Sequence, residues 1–289
     1  MHGKILALSA AIMLLMPAIS MAQKSRGHLD IVYAVVDGKK LGLDLHLPAD
    51  VAQPALVVWV HGGAWNAGTK AAYPKELVAS GFAVASVDFR QASEAPFPAN
   101  VHDIKAAIRF LRARAAQYGY RGERIAVAGA SSGGHLAALV GVTNGHADLE
   151  GKVGDQPGTS SSVQAVVSYF GASNLTTILA QSTPFGLNVR KPALERLLGA
   201  SPESAPELAK LASPVFHVDR NDPPLLLLHG DQDPQMPINQ SHELQGAYEK
   251  LGLEVEFDVL HGVAHGGDAF FAAEHLQRAV EFLRRAIGP

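Results

Sequence analysis

The sequence contains Ile125-Ala126-Val127-Ala128-Gly129-Ala130-Ser131-Ser132-Gly133-Gly134-His135, an apolar run that ends in Gly-x-Ser-x-Gly. The chain continues directly into Leu136-Ala137-Ala138-Leu139-Val140, which is typical of a helix. We therefore predict a strand, a sharp turn and a helix, with Ser131 strained at the turn. The flanking glycines fit such a turn because a Cβ there would collide with the neighbouring strand or helix. Ser131 would stand exposed at a strand end as a candidate nucleophile.

Composition sets broad limits on the fold and the partners. The chain has 289 residues, of which 47% are hydrophobic and 18% charged, so it can bury one large core. The formal net charge of -3 provides no basic field, so no nucleic-acid partner is predicted. A small or neutral substrate, or a neutral polymer, fits this charge better. No break in composition divides residues 23–289, which we expect to form a single domain.

The N-terminus carries the pattern of a secretory signal. Lys4 precedes an apolar run over residues 5–16, and Ser20-Met21-Ala22 matches a small-x-small cleavage site. We predict a signal peptide over residues 1–22, cleaved after Ala22, and a secreted or periplasmic protein. An uncleaved anchor is the alternative, but the apolar run is shorter than the roughly 20 residues of a spanning helix, so no stable membrane insertion is expected. The absence of cysteine excludes disulfides, a thiol nucleophile and thiolate metal sites.

Alternating strand and helix patterns predict an α/β fold. Two strands around the Asp37-Gly38 turn open the mature chain, and buried apolar strands then alternate with amphipathic helices. This order predicts an eight-stranded, mostly parallel sheet with antiparallel N-terminal strands and helices on both faces. Residues 174–222, with short helical patterns between prolines, form a predicted small cap insertion. The strands are predicted at residues 30–36, 41–47, 55–60, 82–87, 125–130, 163–169, 224–228 and 255–260.

Acyl transfer by a serine requires a base and an acid that orients it. Asp231 and Asp233 follow one predicted strand, and His261 and His265 follow the last, so the order is Ser, Asp, His. The loop next to Gly266-Gly267 favours His265 as the base. The two histidines at i and i+4 also resemble a metal pair, but no Glu lies between them and no third ligand is near. We therefore predict neither a metal site nor a cofactor.

A tetrahedral oxyanion needs amide donors that already point at it. Gly62 and Gly63 lie on the loop after the third strand, and Ser132 begins the helix after the nucleophile, so their N–H groups are the candidate donors. Trp65, two residues further on, could wall the substrate pocket or pack in the core. His135 is expected to pack behind the turn.

The chain resembles the α/β-hydrolase superfamily, in particular its esterase/lipase group and the BD-FAE-type carbohydrate esterases of the acetylxylan and feruloyl esterase kind. The matching residues span nearly the whole mature chain. They are His61-Gly62-Gly63-Ala64-Trp65, Asp88-Phe89-Arg90, Phe97-Pro98-Ala99, Asp103, Gly129 to Gly134, His229-Gly230, Asp233 and His265-Gly266. Two positions differ from many relatives, the residues flanking Ser131 and Gly171-Ala172-Ser173-Asn174, and both bear on the acyl pocket.

The resemblance implies a catalytic triad of Ser131, Asp233 and His265, with Asp231 only tightening a turn and His261 packed beside the site. It implies a secreted serine carboxylesterase that acts on short-chain or aromatic acyl esters, plausibly linked to carbohydrate. Two alternatives stay open. Arylformamidases resemble the chain at the same motifs, although export argues against a cytosolic metabolic step. A non-catalytic binding protein on a hydrolase fold would lack a triad residue, and none is missing here.

Overall fold

A computed structural model describes residues 26–288, so the predicted signal peptide lies outside the described residues. Eight strands form one sheet in the order β1-β2-β4-β3-β5-β6-β7-β8. The β1–β2 and β2–β4 pairs are antiparallel and all other pairs are parallel. This arrangement confirms the predicted α/β-hydrolase architecture. The strands are β1 (Arg26–Val36), β2 (Lys39–Leu47), β3 (Ala55–Val60), β4 (Ala83–Val87), β5 (Arg121–Ala130), β6 (Ala165–Tyr169), β7 (Leu225–Gly230) and β8 (Val255–Leu260).

Helices connect the strands and cover both faces of the sheet. They are α1 (Lys75–Ala79), α2 (Ala99–Tyr118), α3 (Ser132–Gly141), α4 (Ala147–Glu150), α5 (Ile178–Gln181), α6 (Pro184–Leu198), α7 (Pro206–Leu211), α8 (Asn239–Leu251) and α9 (Ala273–Ile287). Short 3₁₀ helices span Pro214–Phe216 and Asp268–Phe271. Among residues 26–288, none of the helices combines the length and hydrophobicity needed to cross a bilayer.

Strand β3 shows why the central strands are almost wholly apolar. Leu56, Val58 and Val60 belong to the core on one face, which α2, α3 and the cap cover. Val57 and Trp59 belong to the core on the other face, which α1 and α9 cover. Alternate side chains of a strand point to opposite faces, so a strand covered on both sides must be apolar at every position.

The region predicted as a cap contains α5, α6 and α7 and lies between β6 and β7. Helix α6 is 15 residues long and contains Pro192 in its interior, whereas the sequence predicted shorter helices in this region. Its buried face includes Leu194 and Leu197, and packing of that face supplies most of the stability of such a helix. Tertiary contacts therefore outweigh the local cost of the proline.

Asn100 and Asp268 are polar residues at which the sequence favours the start of a helix, and the structure places neither at a cap. Asn100, expected to cap α2, lies inside that helix, which begins at Ala99 after Pro98. Asp268, expected to cap the last helix, instead begins a 3₁₀ helix, and α9 starts five residues later at Ala273. In both places the chain turns before the residue whose side chain suggested a cap.

Candidate active site

The turn between β5 and α3 holds Ser131 in a strained conformation. Its φ of 56° and ψ of -122° are disfavoured for any residue with a Cβ, and its amide donates to the Tyr169 carbonyl at 2.9 Å. A Cβ on Gly129 would lie 2.3 Å from the Gly133 carbonyl oxygen, and one on Gly133 would lie 2.1 Å from that of Val60. Only glycine fits at these two positions, which is the steric reason for the motif.

One chain of hydrogen bonds joins Ser131, His265 and Asp233. His265 lies on the loop after β8, with Nε2 2.9 Å from Ser131 Oγ and Nδ1 2.5 Å from Asp233 Oδ2. A carboxylate only accepts hydrogen bonds, so Nδ1 carries the proton and Nε2 is free to accept the hydroxyl proton of Ser131. The geometry is that of a serine nucleophile, its base and the acid that orients the base.

Asp233 is held ionised by its surroundings. Its Oδ1 accepts the amides of Gln235 and Met236, each at 2.8 Å, and its side chain is 1% exposed. Burial opposes ionisation, but hydrogen bonds from the imidazoles of His229 and His265 outweigh it and lower the pKa of Asp233 below its usual range. Asp233 is therefore a fixed negative charge beside His265.

The competing residues Asp231 and His261 form a separate pair. His261 Nδ1 lies 2.8 Å from Asp231 Oδ2, and neither side chain contacts Ser131. The His261 side chain is 83% exposed, so the expectation that it packs beside the site is wrong. His261 follows β8 at the surface, where the chain turns through Gly262. The amide of Gly262 donates a hydrogen bond to Asp231 Oδ1. Among residues 26–288, no group of three or more His, Asp or Glu side chains is arranged to hold a metal ion.

The loop after β3 brings Gly62 against the strained turn. A Cβ on Gly62 would lie 2.8 Å from the Ala130 carbonyl oxygen and 3.3 Å from Ser131 Cβ. Gly63 has a φ of 125°, and its carbonyl accepts the amides of Asn66 and Ala67 at 3.0 Å, which closes a tight turn. In residues 26–288 no hydrogen-bond acceptor contacts the amides of Gly62 and Gly63. Gly62 thus lies against Ser131, and Ser132 follows the serine directly as the first residue of α3.

Trp65 lies in the core and not at an open pocket. It is 1% exposed, and its Nε1 donates to His135 Nδ1 at 3.0 Å. His135 Nε2 in turn donates to the Ala212 carbonyl at 2.7 Å, and burial lowers the pKa of His135 to about 4, so its ring is neutral. Of the two roles that the sequence left open for Trp65, the structure favours packing in the core. His135 packs behind the turn, as its sequence position suggested.

Arg190 is a residue near the site for which the sequence provided no signal. It lies on α6, one turn after Gly186. At Gly186 the helix packs closely on the loop after Asp233, because a Cβ on that glycine would lie 3.0 Å from the Pro234 carbonyl oxygen. Arg190 is 1% exposed, its Cζ is 5.8 Å from the centre of the Trp65 ring, and burial lowers its pKa to about 10 while Asp233 opposes this. Residues 26–288 supply no partner for its Nε and Nη1. A buried cation with two unpartnered nitrogens costs stability.

We expect Arg190→Met to leave the free energy of unfolding within about 1 kcal/mol of the parent, or to raise it, because it removes a buried charge whose Nε and Nη1 lack hydrogen-bond partners. Arg109→Met is the matched control. Arg109 is 2% exposed, but its guanidinium donates to Glu150 Oε1 and to the Val153 carbonyl, each at 3.0 Å. Its loss should cost about 3–5 kcal/mol in urea unfolding. An equal loss in both variants would show that Arg190 is structurally paired.

The chain is similar to known esterases. The BD-FAE family model matches residues 43–248. Esterase LipC of Mycobacterium tuberculosis is 32% identical over 222 residues, covering 74% of this chain and 53% of that protein. The chain thus spans about half the length of the curated relatives it matches.

Two solved structures extend the comparison. A truncated carbohydrate esterase from gut microbiota superposes with a TM-score of 0.84 and 31% identity, covering 93% of this chain and 99% of that one. Esterase 2 of Thermogutta terrifontis, phosphoramylated by tabun, superposes with a TM-score of 0.74 and 27% identity, covering 92% and 96%. The family match spans most of the described chain and both sides of the strained serine. The chain therefore belongs to the BD-FAE family of α/β-hydrolases.

Proposed function

We propose that this chain is a secreted serine carboxylesterase that hydrolyses short-chain or aromatic acyl esters, including esters linked to carbohydrate. The hydrogen-bonded chain from Ser131 through His265 to Asp233 carries the proposal. The family match supports the reaction class, and the gut carbohydrate esterase and the organophosphate-modified esterase support a serine enzyme with this kind of substrate. The N-terminal signal pattern of residues 1–22 supports export.

The proposed reaction proceeds through an acyl-enzyme. Ser131 Oγ attacks the ester carbonyl while its proton passes to His265 Nε2, and the charge of Asp233 stabilises the imidazolium that forms. The oxyanion receives hydrogen bonds from the amides of Gly62, Gly63 and Ser132. Collapse of the tetrahedral intermediate breaks the bond to the alcohol oxygen, which takes the proton from His265. Water then attacks the acyl-enzyme while His265 Nε2 takes its proton. The second tetrahedral intermediate breaks the bond to Ser131 Oγ, which takes the proton from His265, and the acid is released.

The proposal is tested with matched aryl esters from acetyl to octanoyl, beside acetylated xylan, methyl ferulate and N-formylkynurenine. We expect the chain to hydrolyse the short esters and to release acetate from xylan or ferulate from its methyl ester. The initial rates at equal enzyme concentration are the measurement. Turnover of N-formylkynurenine alone would replace the esterase proposal with a formamidase, and failure to hydrolyse any of these substrates would contradict both.

A further inference from the structure

His229 is a fully buried histidine at the end of β7, and the proposed reaction gives it no role. Both of its ring nitrogens have partners, because Nε2 lies 3.0 Å from the Met236 carbonyl oxygen and Nδ1 lies 2.8 Å from Ser241 Oγ. A carbonyl oxygen only accepts hydrogen bonds, so Nε2 carries the ring proton. In the neutral ring, Nδ1 then accepts a hydrogen bond from the Ser241 hydroxyl. The neighbours of His229 therefore fix both its orientation and its tautomer.

The N–H of His229 also faces the carboxylate of Asp233. Its Nε2 lies 3.4 Å from Asp233 Oδ2, the oxygen that accepts the Nδ1–H of His265. The N–H thus bonds to the Met236 carbonyl and makes a second, longer contact with the carboxylate. The other carboxylate oxygen, Oδ1, accepts the amides of Gln235 and Met236. Donors therefore reach both oxygens, and His229 supplies one that belongs neither to the backbone nor to the base.

The backbone already fixes the two loops that carry Asp233 and His265. A Cβ on Gly230 would lie 2.1 Å from the carbonyl oxygen of Val263, so the chain after β7 and the loop after β8 touch at this point. With the backbone set in this way, the side-chain torsions of Asp233 decide whether Oδ2 meets His265 Nδ1. His229 contacts Oδ2 from a strand of the sheet, and it is therefore placed to restrain those torsions.

The same contact affects the charge that His265 experiences. An N–H beside Oδ2 draws negative charge towards itself, so the carboxylate attracts an imidazolium less strongly than it would without that donor. The titratable or charged side chains near Asp233 come from three elements, and they are His229 on β7, Arg190 on α6 and His265 on the loop after β8. Of these, His229 and His265 contact the carboxylate itself. Loss of His229 should therefore change the pH dependence of the reaction.

We propose that His229, held by Ser241, is a positioning residue for the triad, an inference that rests on the proposed esterase function. It keeps Asp233 Oδ2 against His265 Nδ1, so that the base keeps Nε2 directed at Ser131. The triad is thereby extended into the core through His229 to the hydroxyl of Ser241 on α8. His229 touches neither the substrate nor the reacting atoms, so its loss should lower kcat without abolishing it and should leave KM as in the parent.

The test compares two polar replacements of the ring. In His229→Gln the amide N–H lies about where Nε2 was, whereas in His229→Asn the shorter amide lies about where Nδ1 was, so it keeps Ser241 and loses Asp233. With an aryl acetate, kcat should fall about 10–100-fold in His229→Asn and stay within about fivefold of the parent in His229→Gln, because only the first lets the carboxylate turn. Each kcat is referred to the enzyme that a fluorophosphonate probe labels at completion.

The pH profile separates positioning from a merely structural role. The pH at which kcat/KM reaches half its plateau on the acid side should rise by about half a unit or more in His229→Asn, because a carboxylate that has lost a donor favours the protonated base. A residue that only stabilised the fold would not move that midpoint. Thr143→Val is the matched control, since it removes an equally buried hydroxyl that donates to the Leu139 carbonyl at the far end of α3 from Ser131. Its kcat and its midpoint should equal those of the parent.

Histidine nitrogen NMR of the parent provides a test that requires no variant to fold. We expect His229 to carry its proton on Nε2 and to leave Nδ1 unprotonated across the pH range of activity. Three results would overturn the inference: a parent-like kcat and midpoint in His229→Asn, an equal loss of kcat in His229→Gln, or a neutral His229 protonated on Nδ1. Failure of the esterase function looks different, because the parent itself would then neither hydrolyse the aryl acetate nor be labelled at Ser131.

Discussion

Ser131→Ala is expected to lower kcat for an aryl acetate by about 10⁵–10⁶-fold, which is the size of the loss when a triad serine is removed. Without Oγ, His265 has no hydroxyl to deprotonate and no acyl-enzyme can form. The amides of Gly62, Gly63 and Ser132 remain, so a residual rate above that in water should persist. A fluorophosphonate probe should label the parent chain and leave the variant unlabelled. Retention of the parent's rate within tenfold would place the nucleophile elsewhere.

Ser131→Gly is the matched control that separates chemistry from folding. It is expected to be as inactive as Ser131→Ala but more stable than that variant by about 1 kcal/mol, because a φ of 56° strains alanine and not glycine. Thermal unfolding of the two variants measures this difference. If the stabilities are equal, the turn stores no strain at this position.

The core of the site was predictable because its residues are linked by local sequence rules. Gly129 is required by its contact with Gly133 within the strand, turn and helix, so the pentapeptide itself marks the turn. Gly133 is required by the neighbouring strand β3, through the carbonyl of Val60. Strands β3 and β8 are found at the predicted bounds because buried apolar runs identify them without reference to partners. The antiparallel pair β1–β2 follows from the turn at Asp37-Gly38, and the parallel strands follow from the alternation of strands and helices.

The surroundings of the site depend on contacts between distant segments. Trp65 lies in the core because its indole N–H donates a hydrogen bond to His135, 70 residues later. The other ring nitrogen of His135 in turn donates a hydrogen bond to the Ala212 carbonyl. Arg190 is buried only because α6 packs over the loop after Asp233, and an arginine in a helix normally indicates a solvated face. Asp268 begins a 3₁₀ helix, which no periodic pattern in the sequence predicts. Contacts between residues so far apart in the sequence cannot be predicted from the pattern of any short segment.

Asp233→Asn is expected to lower kcat by about 10⁴-fold, because it changes which ring nitrogen of His265 carries the proton. The amides of Gln235 and Met236 both donate to Oδ1 at 2.8 Å, so the amide oxygen of an asparagine must stay there. Its NH₂ group then faces His265 Nδ1, which must become an acceptor. The ring proton moves to Nε2, and that nitrogen can no longer take the proton of Ser131. The same backbone contacts that hold Asp233 thus prevent the variant from rotating to rescue the base.

Asp231→Asn is the matched control, two residues away on the same turn. Asp231 contacts the exposed His261 and the amide of Gly262, so the kcat of Asp231→Asn should stay within about twofold of the parent.

The pH dependence of stability separates the two variants further. The pKa of Asp233 is lower in the folded chain, so the stability it adds is full above the unfolded pKa of about 4 and is lost as pH falls towards the folded pKa. Asp233→Asn should therefore unfold more easily at pH 7, with a gap to the parent that narrows below about pH 4. An equal loss of kcat in Asp231→Asn would mean that the two carboxylates share the role, whereas a loss confined to Asp233→Asn assigns the orientation of His265 to Asp233 alone.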